Sequence, residues 1–323
     1  MTAPFTAVAC MKNEGAFLID WVAHHKALGF DHLVICTNDC ADPTVPMVQR
    51  LQALGLVRHH ATRHWPATSI QRSALKQVRR YPEVEGAGWL WVCDADEYLA
   101  VRLGDGTVQA LAAAASAGAE VVLVPWRIFG PAGQWAFRDA PVAHLFPLAE
   151  APHPGATYPK ALTRGLSQVH RIGIHRPVPR EALGRDLIAE LPGGVAPVPQ
   201  RHRLFVQADW SGAQVNHYAL RSGESFLVKR DRGRVNHTGQ DMGLDYWDRF
   251  DRGAQACDLI RRYDDASAAW RARLTADADL AALHAQAVDW HRARAAHLAA
   301  RPEWAPFAAA LRQRLKTCAS LPS

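Results

Sequence analysis

The chain opens on an unbroken apolar run, FTAVACM at 5–11, of the kind that forms a strand buried on both faces of a parallel sheet. In the next segment, NEGAFLIDWVAHHKALG, residues Phe17, Leu18, Trp21, Val22 and Leu28 recur at helical spacing, and Gly29 suits the C-cap. HLVIC predicts a second strand. After the turn TNDCADP, TVPMVQRLQALG predicts a helix stopped by Gly55, and LVRHH a short third strand. SIQRSALKQVRRY then predicts a helix feeding a strand in GWLWVCDADEYLA, and TVQALAAAASAG followed by EVVLVP repeats the helix and strand.

Strands separated by helices of this length predict an α/β protein with a mostly parallel, right-handed, Rossmann-like sheet flanked by helices. From 126 to about 205 the pattern degrades into Pro-, Gly- and His-rich sequence, which predicts a lid or binding loop. AQVNHYAL restores a strand and SGESFLVKRDRGR a capped helix ending in basic residues. The tail, rich in Ala, Arg and Trp, reads as helices. The expected organisation is a main domain over 1–235 with a helical C-terminal extension, 236–323, packed on it.

Ligands of open α/β sheets bind at the carboxyl ends of the strands. Three polar signals fall there: KNE, TNDCAD and DADE. In a continuous strand Asp94 and Asp96 share a face while Ala95 and Glu97 share the other. Two neighbouring carboxylates repel unless a proton or cation lies between them, and oxygen ligands suit Mg²⁺ or Mn²⁺. The plainer alternative is an acidic turn after a strand.

At 323 residues the chain is long enough to bury a sizeable core. The closest approach to a membrane span, 107–126, is broken by Gln109, Ser116, Gly118 and Glu120, and the N-terminus lacks signal-peptide features, so a cytoplasmic location is expected. Six cysteines without a C-x-x-C pair read as reduced core residues and argue against a zinc site. A net charge of +6 fits an anionic ligand or peripheral contact with a phospholipid surface, although an Arg- and Ala-rich composition accounts for it equally well. No nucleic-acid motif accompanies the charge, and no nucleic-acid partner is expected.

The stretches MKNEGAFLIDWVAHHKALGFDHLVICTNDCAD, WLWVCDADEYL and NHYALRSGESFLVKRDRG together resemble bacterial glycosyltransferases of the family 2 and family 92 type, which have the GT-A fold. They cover about 60 residues of the chain, in the family's order and with comparable spacing. Residues 126–205 depart from that pattern. The resemblance implies a metal-dependent hexosyltransferase of polysaccharide biosynthesis, taking a UDP- or GDP-sugar donor and a glycan or lipid-linked saccharide acceptor. It implies Mn²⁺ (or Mg²⁺) on the D-x-D, with Asp96 as direct ligand, Asp94 facing the ribose or metal, and His217 as a distant third ligand.

For the nucleotide, the resemblance implies Asn13, Glu14 and Asp39, with Asn13 and Glu14 alternatively capping the following helix and Asp39 serving a turn. Gln71 and Arg72 reach the same pocket or lie on a solvated helix face. Lys160, His175, Lys229 and Arg230 are candidate cations for the diphosphate. Trp126, Phe129 and Gly130 are candidates for the acceptor site or the core. An inverting reaction needs a carboxylate base, for which Asp139, Glu150 and Asp209 are candidates. Two rival readings are an aspartate-nucleophile phosphatase and a catalytically inactive carbohydrate-binding protein. Phosphatases place D-x-D-x-[T/V] near the N-terminus, whereas here the motif lies ninety-odd residues in and Tyr98 holds its last position.

Overall fold

A computed structural model describes residues 3–196, 204–233 and 242–318. The strands that build the main sheet are β1 (Phe5–Met11), β2 (His32–Thr37), β3 (Arg58–Ala61), β4 (Trp89–Asp94), β5 (Glu97–Val101), β6 (Val121–Ile128), β7 (Pro159–Arg164), β8 (Ala189–Glu190) and β9 (Ala213–His217). Around them lie α1 (Gly15–Ala27), α2 (Thr44–Ala53), α3 (Ile70–Val78), α4 (Val108–Ala113), α5 (Gly223–Arg232), α6 (Leu244–Phe250), α7 (Asp264–Thr275), α8 (Ala278–Ala300) and α9 (Ala305–Cys318). The sheet order is β3-β2-β1-β4-β7-β6-β9-β5, with β8 beside β6. As the alternation of strands and helices predicts, the sheet is mostly parallel and flanked by helices; β7 and β5 run against their neighbours.

Side chains leave the central strands with a period of two, which sorts them into two cores. Ala7, Ala9, Leu33, Ile35, Trp89 and Trp91 enter one core, against α1 and α2. Val8, Cys10, Val34, Cys36, Leu90 and Val92 enter the other, against Ala74, Leu75 and Val78 of α3. Cys10, Cys36 and Cys93 are free thiols in these interiors. Leu280, Ala287, Leu298 and Leu311 of the C-terminal helices belong to the same core as α1, and Arg50 of α2 forks onto Asp277 at 2.9 and 2.6 Å. No helix among the described residues is long and apolar enough to cross a membrane.

Two expectations need correction. The stretch from 126 to 205 is not one irregular loop: PKALTR forms β7 and enters the sheet between β4 and β6. The strand through DADE is also broken. β4 ends at Asp94, Ala95 and Asp96 form a turn, and Glu97 begins β5. Asp94 and Asp96 therefore do not share a strand face, because one ends a strand and the other lies in a turn.

That turn explains the shape of the sheet. The three steps from Asp94 to Glu97 span at most about 11 Å, whereas the four strand-to-strand steps from β4 to β5 would cover about 19 Å if laid flat. The sheet must curl to bring β5 back, and it arrives antiparallel to β9 with Glu97 opposite His217.

Candidate functional site

The carboxyl end of β4 holds a cluster of charged groups, with Asp94 half-buried and Asp96, Glu97 and Lys160 buried. Asp94 accepts from Gln71 Nε2 on Oδ1 at 2.7 Å and from Lys160 Nζ on Oδ2 at 2.9 Å. Gln71 reaches it because α3 packs on the sheet face shared by Leu90, Val92 and Asp94. Lys160 is fully buried and also lies 3.1 Å from Glu97 Oε2, which accepts the backbone N–H of Asp94 at 2.9 Å. Burial opposes the charge of Asp94, but Lys160 outweighs it and holds the pKa below the usual carboxylate range. For Glu97 burial prevails over Lys160, Asp94 and Asp96 add repulsion, and the pKa rises well above its ordinary value. Lys160 thus stands between two carboxyl groups, Asp94 with its pKa lowered and Glu97 with its pKa raised.

Asp96 sits beside this group with a different environment. Its Oδ2 accepts from Lys229 Nζ at 2.6 Å, and its Oδ1 faces His217 Nε2 at 3.8 Å. Burial opposes its ionisation, yet Lys229, then His217 and Arg221, drive its pKa far below the ordinary range. The ladder between β9 and β5 places His217 opposite Glu97, and Tyr218 N donates to Asp96 O at 2.9 Å. Burial pulls His217 down to about 4, so at neutral pH its imidazole is uncharged. Its Nδ1 is buried without a hydrogen-bond partner among the described residues, and its ring packs 4.2 Å from that of Trp126.

Among the described residues no group of three His, Cys, Asp or Glu side chains is arranged to hold a metal. The pair Asp96 Oδ1 and Nε2 of neutral His217 nevertheless fits a divalent cation in part. At 3.8 Å they are too far apart to hydrogen-bond to each other, while two coordination bonds of about 2.1 Å can span that gap. A carboxylate oxygen with an imidazole nitrogen suits Mn²⁺ better than Mg²⁺. Each oxygen of Asp94 already accepts one hydrogen bond, from Gln71 and from Lys160, and keeps a further lone pair.

A second buried network holds the loops of the site together. Arg221 Nη1 donates to Glu14 Oε2 at 2.8 Å and Nη2 to Ala95 O at 2.9 Å, while Arg232 Nη1 pairs with Glu14 Oε1 and donates to Lys12 O. Glu14 is thereby a brace between the end of β1, the D-x-D turn and α5. Neither Asn13 nor Glu14 caps α1 through its side chain. Asp42 Oδ2 does so instead, accepting from Gly15 N at 2.9 Å. Asn13, at φ 54°, accepts Ala41 N on its Oδ1 at 2.7 Å. Asp39 lies exposed at φ 43°.

The four expected diphosphate cations have different surroundings. Lys160 is sealed against Asp94 and Glu97. Burial, with Lys160 nearby, pulls His175 down to about 4, so it brings no charge at neutral pH; its Nδ1 bonds Pro159 O at 3.0 Å. Arg230 follows Lys229 by one position, a turn of about 100° around the helix, and stacks on Phe307 at 3.9 Å and Trp304 at 5.0 Å. Lys229 alone of the four pairs with Asp96. Arg72 lies exposed on α3.

The acceptor candidates divide likewise. Trp126 packs on His217. Phe129 is 1% exposed and packs 4.9 Å from Tyr218, so it is core. Gly130 is a chain crossing, where a Cβ would lie 2.7 Å from Gly253 N. Among the candidate bases, Glu150 accepts Ile128 N on Oε1 at 2.8 Å, at the end of the strand beside His217. Asp139 pairs with His284 of α8 at 3.1 Å, and Asp209 accepts Ser211 N at 2.9 Å in a turn. Sequence reasoning missed Glu97, Arg221 and Arg232. Glu97 adjoins the D-x-D, but strand periodicity assigned it to the opposite face; the two arginines carry no local signal.

Neither a protein-family model nor a curated protein sequence matches the chain. Solved structures give partial likenesses. TarS of S. aureus aligns over 38% of this chain and 21% of its own, at 16% identity and a TM-score of 0.29. TarS 1–349 in complex with UDP aligns over 38% of this chain and 35% of its own, with the same identity of 16% and a TM-score of 0.29. The chain thus spans at most about a third of these TarS structures. Glucosyl-3-phosphoglycerate synthase from Mycobacterium tuberculosis, in complex with Mn²⁺, UDP and glucosyl-3-phosphoglycerate, aligns over 62% of this chain and 74% of its own, at 15% identity and a TM-score of 0.31. Likeness at this level assigns no activity.

Proposed function

We propose that this chain is a metal-dependent glycosyltransferase of the GT-A type, moving a sugar from a UDP- or GDP-sugar to a glycan or lipid-linked acceptor. The observation that carries the reading is the meeting of Asp96 Oδ1 and Nε2 of neutral His217 at the carboxyl end of the sheet, 3.8 Å apart and beside Lys229. Asp96 and His217 would hold the cation, which as a Lewis acid stabilises charge on the departing nucleoside diphosphate. Asp94, fixed by Gln71 and Lys160, presents its carboxylate toward the nucleoside. Glu14, Arg221 and Arg232 keep the D-x-D turn rigid, so that the donor site is preorganised. Trp126 offers an aromatic wall to the sugar side, and Glu150, near the end of β6, is the best placed of the three candidate bases.

The test is nucleotide release. Purified protein with Mn²⁺ and a panel of UDP- and GDP-sugars should liberate UDP or GDP slowly, and EDTA should stop it. Phosphate release from phosphomonoesters without nucleotide release would favour the phosphatase reading, and neither activity with sugar binding intact would favour the inactive binding protein.

A further inference from the structure

Lys229 and Asp96 form a contact that a divalent cation would have to disturb. Lys229 Nζ lies 2.6 Å from Asp96 Oδ2 and 2.6 Å from Ala219 O, and its side chain is 17% exposed. Lys160, the other lysine of the cluster, is wholly buried and held by two carboxylates. The two lysines therefore differ in what they can do. Lys160 has no exposed side-chain surface, whereas Lys229 keeps 17% of its own and carries its ammonium on a flexible four-carbon stem. It neutralises the one D-x-D carboxylate that still has an oxygen directed at His217.

Resting on the donor-binding reading above, we infer that Lys229 is an exchangeable counter-ion: it competes with the divalent cation for Asp96 and, once displaced, turns its ammonium to the donor diphosphate. A cation placed between Asp96 and His217 draws the carboxylate charge away from Lys229, and a diphosphate at the same edge supplies new anionic oxygens within the reach of its side chain. The charge removed from one partner is returned by the other. Lys229 thus opposes binding of the metal alone and favours binding of the metal with its nucleotide. A purely structural brace would have the same sign of effect on both.

The experiment measures two affinities separately, by isothermal titration of Mn²⁺ alone and of UDP or GDP in the presence of Mn²⁺. For Lys229→Met, Mn²⁺ alone should bind about tenfold tighter than to wild type, and the nucleotide about tenfold more weakly, on the scale of one charge-assisted hydrogen bond gained or lost. A loss of both affinities, or an unchanged affinity for Mn²⁺ alone, overturns the inference while leaving the donor reading intact. Wild type that binds neither Mn²⁺ nor nucleotide overturns the donor reading, and the inference with it. Should Lys229→Met fail to fold, Lys229→Arg decides: a guanidinium grips a carboxylate bidentately, so Mn²⁺ alone should bind more weakly than to wild type. An equal or higher affinity there counts against exchange.

Discussion

Tyr218 donates its backbone N–H to the carbonyl of Asp96 at 2.9 Å, and this bond fastens the D-x-D turn to the strand end that carries His217. The contact joins residues more than a hundred positions apart. It makes the proposed cation seat a property of how the sheet closes, and it sets the first prediction. Asp96→Asn preserves shape but removes the charged ligand, and should abolish metal-dependent nucleotide binding with an unchanged circular dichroism spectrum. His217→Ala should weaken Mn²⁺ affinity by about 10- to 100-fold, with partial rescue at high Mn²⁺. Titration calorimetry on both variants checks this; binding of metal and nucleotide by Asp96→Asn at wild-type strength would reduce DADE to an acidic turn.

Lys160 predicts a large loss of stability rather than a simple loss of binding. Its ammonium is fully buried against Asp94 and Glu97, so Lys160→Met strands an uncompensated charge at a cost of about 3–5 kcal/mol. Adding Asp94→Asn removes that charge, and the double variant should lose clearly less than the two single losses added together. Urea denaturation of all four proteins measures the coupling. Strict additivity would show that the pair does not interact.

The buried His24 predicts a pH effect of definite sign. Burial pulls it from 6.5 down to about 4, and its Nε2 bonds Leu99 O at 2.8 Å. Between those values the unfolded chain takes up a proton that the folded chain refuses. Its contribution to stability is therefore complete above about pH 6.5 and falls as pH drops towards 4, by on the order of 3 kcal/mol. Glu97, whose pKa is raised, acts in the opposite sense above its ordinary 4.5. Comparing wild type with His24→Gln from pH 7.5 to 4.5 isolates the histidine: the wild-type denaturation midpoint should fall more steeply with acid, and parallel curves would refute the assignment.

Gly130 should matter for packing. A Cβ there would press within 2.7 Å of Gly253 N, which is backbone and cannot swing aside. Gly130→Ala should cost about 1–3 kcal/mol, read as a lower melting temperature, while leaving Mn²⁺ and nucleotide affinities unchanged. Weakened binding with unchanged stability would return Gly130 to the site.

Much of the fold was legible in the pattern of residues. The run FTAVACM, the helical spacing of Phe17, Leu18, Trp21 and Val22, and the helix in SGESFLVKRDRGR all fold as their local pattern predicts, because a wholly apolar run suits a strand buried on both faces and helical spacing gathers apolar side chains for burial. PKALTR was not legible. A lysine at the second position of a short segment after a Pro-rich stretch suggests a loop, and its burial between β4 and β6 is matched by carboxyl groups from the end of β4 and the start of β5.

The sequence by itself determined the alternating α/β architecture and the gathering of polar residues at strand ends, since hydrophobic period and turn chemistry are local. It also marked Asp94, Asp96 and His217 as residues of interest. Only the tertiary structure decided their surroundings: that Asp94 accepts from Gln71 and Lys160, that Asp96 keeps an oxygen toward His217, that Lys160 is fully buried while Lys229 is partly exposed, and that Phe129 and Gly130 are closely packed. The reason is physical. A side chain's charge state and free lone pairs depend on which distant groups share its low-dielectric surroundings, and here those groups are brought in by the curl of the sheet that the two-residue turn at Ala95 and Asp96 enforces.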